Sequence, residues 1–126
     1  MGLFHYLLIV KSQNFDLQEM KSFFINAGFD ITENSNDYIS LIRYSNVGNI
    51  EVMINNHIQD FSIRTKIQNP PQIIDQIILI LQKFVQITKK IITTYDIQNK
   101  QLLEINEVEN LRKLFEKKQS ELKSYF

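Results

Sequence analysis

The sequence predicts an α+β fold: an antiparallel or mixed sheet of about six strands with helices packed on one face, in the order β-α-β-β-β-β-α-β-β-α. Three observations lead there. Residues 29–67 hold a succession of short apolar-polar runs separated by turn residues, which is the pattern of a meander. Helical stripes come at intervals between runs of strands, as suits helices laid on one face of such a sheet. One of those stripes, after Asn69-Pro70-Pro71, is long and almost wholly apolar.

The elements follow in order. Residues 4–11 read as a strand with apolar side chains on both parities, Phe4, Tyr6, Leu8 and Val10 against Leu7 and Ile9, so a central strand covered on both faces is expected. Asp16 and Glu19 form a capping-box pattern with Phe15 as the staple residue before it. The helix that follows carries Leu17, Met20, Phe23, Phe24 and Ala27 on one stripe, and Gly28 suits its left-handed end. Residues 29–33 make a short strand and 34–37 a turn. Strands over 38–45 and 50–55 flank a loop containing Gly48. The run 58–67 puts Phe61, Ile63 and Ile67 on one side and Asp60, Ser62, Arg64 and Lys66 on the other, so one face is wet or an interface.

Asn69 as cap and the prolines in the first turn start the longest helix, expected from Gln72 to about Ile92. Its polar positions fall on one narrow stripe that only Leu79 interrupts. Residues 93–97 and 101–105 read as strands around the turn 98–100. Asn106 and Glu109 repeat the capping-box pattern, and a terminal helix over 107–126 shows Val108, Leu111, Phe115, Leu122 and Tyr125 at heptad-like spacing. Lys118 sits in that seam, so the last turns are expected to project in part.

Composition bounds what such a fold does. A chain of 126 residues suits one domain and buries about two-thirds of its unfolded surface without staples. There is no cysteine, which removes disulfides and thiolate metal sites and fits a reducing compartment. Lysine outnumbers arginine eleven to three, a bias typical of AT-rich genomes. The expected setting is cytoplasmic: no basic leader with a cleavage site precedes the first apolar run, and Tyr6 stands where a myristoylation signal after Met1-Gly2 needs Ser or Thr. No membrane contact is expected, because the longest unbroken apolar run covers only residues 77–81. Net charge is zero but divided. Residues 1–60 hold three basic and seven acidic side chains and 61–126 eleven and seven, so the halves carry −4 and +4. Such a molecule lacks the single basic stripe of a nucleic-acid binder and suits a protein partner steered by charge.

Enzyme signatures are absent. Three glycines make no phosphate cradle, His5 and His57 stand in no metal-ligating spacing, and no serine lies in a nucleophile elbow. No catalytic residue, cofactor or metal is expected. The candidate interface residues are Glu33, Asp37, Tyr38, Tyr44, Glu51, Asp60, Arg64 and Leu79. Tyr38 and Tyr44 lie among the carboxylates Glu33, Asp37 and Glu51, a mixture common at binding hot spots. Arg64 offers a bidentate fork in a chain that otherwise uses lysine, although a solvated sheet face or an internal salt bridge to Glu51 or Asp60 is the simpler account of it. Leu79 and the terminal helix leave an oligomeric adaptor open as an alternative, with the chain a monomer or a homodimer, and a small-molecule binder or enzyme as a third.

One string of features, Phe61-Ser62-Ile63-Arg64 closing the meander, Asn69-Pro70 opening the long helix, Tyr95-Asp96-Ile97-Gln98-Asn99-Lys100 downstream and Ala27-Gly28-Phe29 upstream, resembles the small immunity proteins of bacterial toxin–immunity systems, of the contact-dependent inhibition and type VI secretion kinds. The resemblance implies a cytoplasmic inhibitor that binds one cognate toxin protein and performs no chemistry. It transfers no site residue.

Overall fold

A computed structural model describes residues 4–125, without the side chain of Tyr125; Met1, Gly2 and the Tyr125 position in the terminal stripe therefore lie outside what is described. The fold is α+β. Seven strands form one antiparallel sheet: β1 (His5–Ser12), β2 (Asp30–Asn34), β3 (Tyr38–Arg43), β4 (Ile50–Asn55), β5 (Asp60–Lys66), β6 (Ile92–Asp96) and β7 (Gln101–Glu104). Their spatial order is β2-β3-β4-β5-β1-β6-β7. The helices are α1 (Leu17–Asn26), α2 (Gln72–Thr88) and α3 (Leu111–Leu122), the last preceded by a 3-10 segment over Ile105–Asn110. The order of elements is the one expected, and all seven strands of that order join the sheet, for which about six were expected. None of the described helices is long and apolar enough to cross a membrane.

All three helices pack on the same face. Cross-strand register pairs Tyr6 with Thr65 and Val10 with Phe61, so these side chains share one side of the sheet. Phe24 of α1 and Phe84 of α2 stand 5.2 and 5.4 Å from Phe61, and Phe115 of α3 stands 5.1 Å from Tyr6. Among the described residues the second apolar parity of β1 therefore has no second layer over it: Leu7 and Ile9 lie half-buried on a face that none of the described helices covers. The expectation of a doubly covered strand fails there, although β1 is central.

Local signals held where nothing competed for them. The Asp16 carboxylate accepts from the Gln18 and Glu19 amides at 3.1 and 3.2 Å, which caps α1. In α2, Ile73, Ile74, Ile77, Ile80, Leu81 and Phe84 are buried, while Leu79 is 50% exposed. That helix ends at Thr88, short of Ile92, because Lys89 turns left-handed at φ 61° and Ile92 begins β6. Asn69 is not its cap. The Asn69 amide donates to the Thr65 hydroxyl at 2.8 Å, and Thr65 donates to the Asn49 carbonyl at 2.8 Å. The same side chain lies 2.4 Å from where a Cβ on Gly48 would sit, at a residue whose φ is +133°, so this loop requires glycine. The second capping box also moves: the Glu104 amide donates to Glu107 at 2.9 Å, two residues before the Asn106–Glu109 pair.

The far side of the core closes on polar bonds. The buried Tyr6 hydroxyl donates to Asp96, which also accepts from the Asn99 backbone amide at 3.0 Å and from its side chain at 2.8 Å. Asn99 reaches on to the Leu114 carbonyl at 3.2 Å, tying the β6–β7 turn to α3. Burial, then the Asp96 charge, holds the Tyr6 phenol far above its ordinary range, so it remains a donor. Gln119 of α3 donates to the Ile67 and Asn69 carbonyls at 2.8 and 2.7 Å.

Two substitutions test this packing. Ile77→Ala should cost about 2–5 kcal/mol in urea unfolding; a loss below about 0.5 kcal/mol, the range of surface changes, would place Ile77 outside the core. Tyr6→Phe should cost about 1–3 kcal/mol, because Asp96 stays buried with a donor removed. An unchanged midpoint would show the hydroxyl to be dispensable.

Candidate functional site: the open face of the sheet

Register determines which side chains share the uncovered face. One row crosses all seven strands: Glu33 pairs with Ser40, Ser40 with Met53, Met53 with Ser62, Ser62 with Ile9, Ile9 with Tyr95 and Tyr95 with Leu102. Beside it runs a second row, Asp30, Ile42, Glu51, Arg64 and Leu7. Flanking on the other side are Tyr38, Asn55, Asp60, Lys11, Thr93 and Glu104. The face thus mixes aliphatic, small polar and charged side chains, where a merely solvated face would be polar throughout.

Around the first two rows the face sinks into an open depression of about 730 Å³, lined among others by Leu7, Ile42, Glu33, Met53, Ser62 and Arg64. Ser40 and Ser62 are the short side chains on either side of Met53, so the relief follows from the sequence at three paired positions. Met53 is 43% exposed and Leu102 57%.

The charges here are held in place. Arg64 pairs with Glu51 directly across the β4–β5 ladder. The Tyr38 hydroxyl donates to both Glu33 oxygens at 2.5 and 2.8 Å, and that hydrogen bond raises the phenol above its ordinary value. Asp37 stands at the rim, 2.8 Å from His57. Asp60 lies between Lys11 and Asn55 with 5% of its surface exposed, and burial raises its carboxyl, with Lys11 opposing.

The structure therefore gathers Glu33, Tyr38, Glu51, Asp60 and Arg64 on one face. Tyr44 lies beyond β3, well exposed and outside the depression. Leu79 lies in the helix layer on the opposite side of the sheet. The apolar side chains of the terminal segment, Val108, Leu111 and Phe115, are buried in the core, Leu122 packs partly against it, and Lys118 pairs with Glu121 at 2.8 Å. Sequence reasoning missed Leu7, Ile9, Ile42, Met53 and Tyr95; the second apolar parity of β1 was the available signal. The other two arginines have structural partners: Arg43 bonds the Ala27 carbonyl and Gln76, both at 3.0 Å, and Arg112 pairs with Asp75 at 2.6 Å. Among the described residues no three His, Asp or Glu side chains cluster as metal ligands would.

Neither a family model, nor a curated protein, nor a solved structure matches this chain.

The raised Asp60 carboxyl has a pH consequence. The unfolded chain ionises near the ordinary value of 3.8 and the folded chain only above it, so between the two values the native state binds the extra proton and loses stability as pH rises. Asp60→Asn removes that slope. Its stability relative to the parent protein should therefore grow with pH across that window, followed by denaturant unfolding at several pH values. A difference that stays constant would mean that Asp60 is as well hydrated in the folded protein as in the unfolded one.

Proposed function

We propose that this chain is a non-catalytic binding protein that presents the open face of its sheet to a protein partner. We further propose that it acts in the cytoplasm as an immunity protein, holding a cognate toxin domain inactive. The uncovered face carries the first part of this reading. Seven strands at about 4.8 Å spacing make a surface about 30 Å wide. That is enough for the roughly 800 Å² that each side of a standard interface contributes. Its aliphatic side chains gain by losing water, and its ion pairs already have their geometry, so little side-chain freedom is lost on docking. The resemblance to immunity proteins supplies the class of partner.

An oligomeric adaptor would instead use the outward residues of α2, Leu79 and Ile87, which are 50% and 66% exposed. One measurement separates the two. The protein encoded beside this chain is co-expressed and its affinity measured for the parent, Met53→Asp and Leu79→Lys forms. Met53→Asp, in the middle of the open face, should weaken the complex by about tenfold or more with the melting temperature nearly unchanged. Leu79→Lys should bind like the parent. The reverse pattern, or self-association abolished by Leu79→Lys, would favour the adaptor.

A further inference from the structure

Glu33 and Glu51 are both carboxylates of the depression, yet among the described residues only Glu51 has a counter-charge. Arg64 neutralises Glu51. Glu33 is held by the neutral Tyr38 hydroxyl, and among the described residues no ion pair reaches it. The Tyr38 contact fixes the Glu33 side chain without cancelling its charge. Next to it, along the row, come Ser40 and then Met53, with Ile42 and Leu7 in the adjoining row.

We propose that the depression receives a lysine or arginine side chain from a protein segment, with its charged head on Glu33 and its aliphatic neighbours on Met53, Ile42 and Leu7. The proposal rests on the reading that the open face is the docking face, and it names the chemistry that the partner brings there. Charge complementarity selects the cation. An anionic side chain would meet Glu33 and Glu51, and the guanidinium that would favour it is already paired with Glu51. Shape and apolar lining select a protein segment over a free cation, because a small ion would leave Met53 and Ile42 wet. The stems of lysine and arginine suit this arrangement, since they cover apolar surface while the head keeps its polar contacts.

The test uses the whole chain, labelled for amide resonances, and two soluble peptides of equal length. One repeats alanine, leucine and arginine; the other has glutamate in place of arginine. The arginine peptide should shift the amides of Thr32, Glu33, Ser40, Met53 and Ser62, and the glutamate peptide should not. Glu33→Gln keeps an oxygen for the Tyr38 hydroxyl, so the fold is preserved. It should weaken the arginine peptide by about tenfold at low salt, and added salt should shrink that difference. Glu51→Gln should weaken it less. Equal shifts of these amides with both peptides would overturn the cation and leave the docking face standing. Shifts confined to the helix layer, or none with either peptide, would overturn the proposal. If these amides also stay unmoved in the complex with the adjacently encoded protein, the docking face falls with it. Equal affinity of the Glu33→Gln and parent forms would remove Glu33 from the role.

Discussion

The described helices cover one side of the sheet, and that asymmetry sorts the side chains of the inner strands. Residues of one parity meet Phe24, Phe84 and Phe115 and become core. Residues of the other parity face away from the helices and, apart from the buried Asp60, keep contact with solvent. A shift of register by one residue would exchange the two sets, so core packing holds the open face in register as firmly as it holds itself. Met53 is flanked by Ser40 and Ser62 only because Val52 and Ile54 are buried on the opposite side. The site is in this sense the outer imprint of the core.

Buried polar bonds do a related task where apolar packing gives no direction. Leu8 and Val10 would tolerate several placements of the β6–β7 turn. Asp96 tolerates few, since it must satisfy its oxygens on Tyr6 and Asn99 at once. Gln98 adds a second constraint: its side-chain oxygen accepts from the Leu7 amide at 2.9 Å and its nitrogen donates to the His5 carbonyl at 2.6 Å, extending the ladder beside β1. Gln98 and its neighbour Ile97 then line the edge of the depression.

Much of the architecture was legible because strand alternation and helical stripes are local. The residues of β4 and the Asp16 cap needed no information from elsewhere. Misreadings arose where a side chain had two possible partners. Asn69 is a good cap by type but found Thr65 first. The closely spaced glutamates 104, 107 and 109 allow two capping registers, and only packing of the segment chose between them. The isoleucines on either side of Lys89-Lys90 suit helix and strand alike, so the sequence does not reveal where one gives way to the other. The candidate site was half legible. Glu51 and Arg64 stand out by type, whereas the depression depends on which residues of different strands lie abreast. The apolar surplus of Leu7 and Ile9 was visible, but a second core and an exposed docking surface demand the same residue types.

The position of β1 carries a consequence for how the molecule is made. It sits between β5 and β6, both far downstream in the chain, and its Tyr6 bonds a residue 90 positions away. A ribosome adding about 5–20 residues each second therefore releases this apolar strand several seconds before its neighbours exist. Long-range pairing of this kind also lowers the rate at which a chain finds its native arrangement. During that interval Leu7, Leu8, Ile9 and Val10 are unprotected strand edge, the part of the nascent chain where a chaperone would gain most by binding.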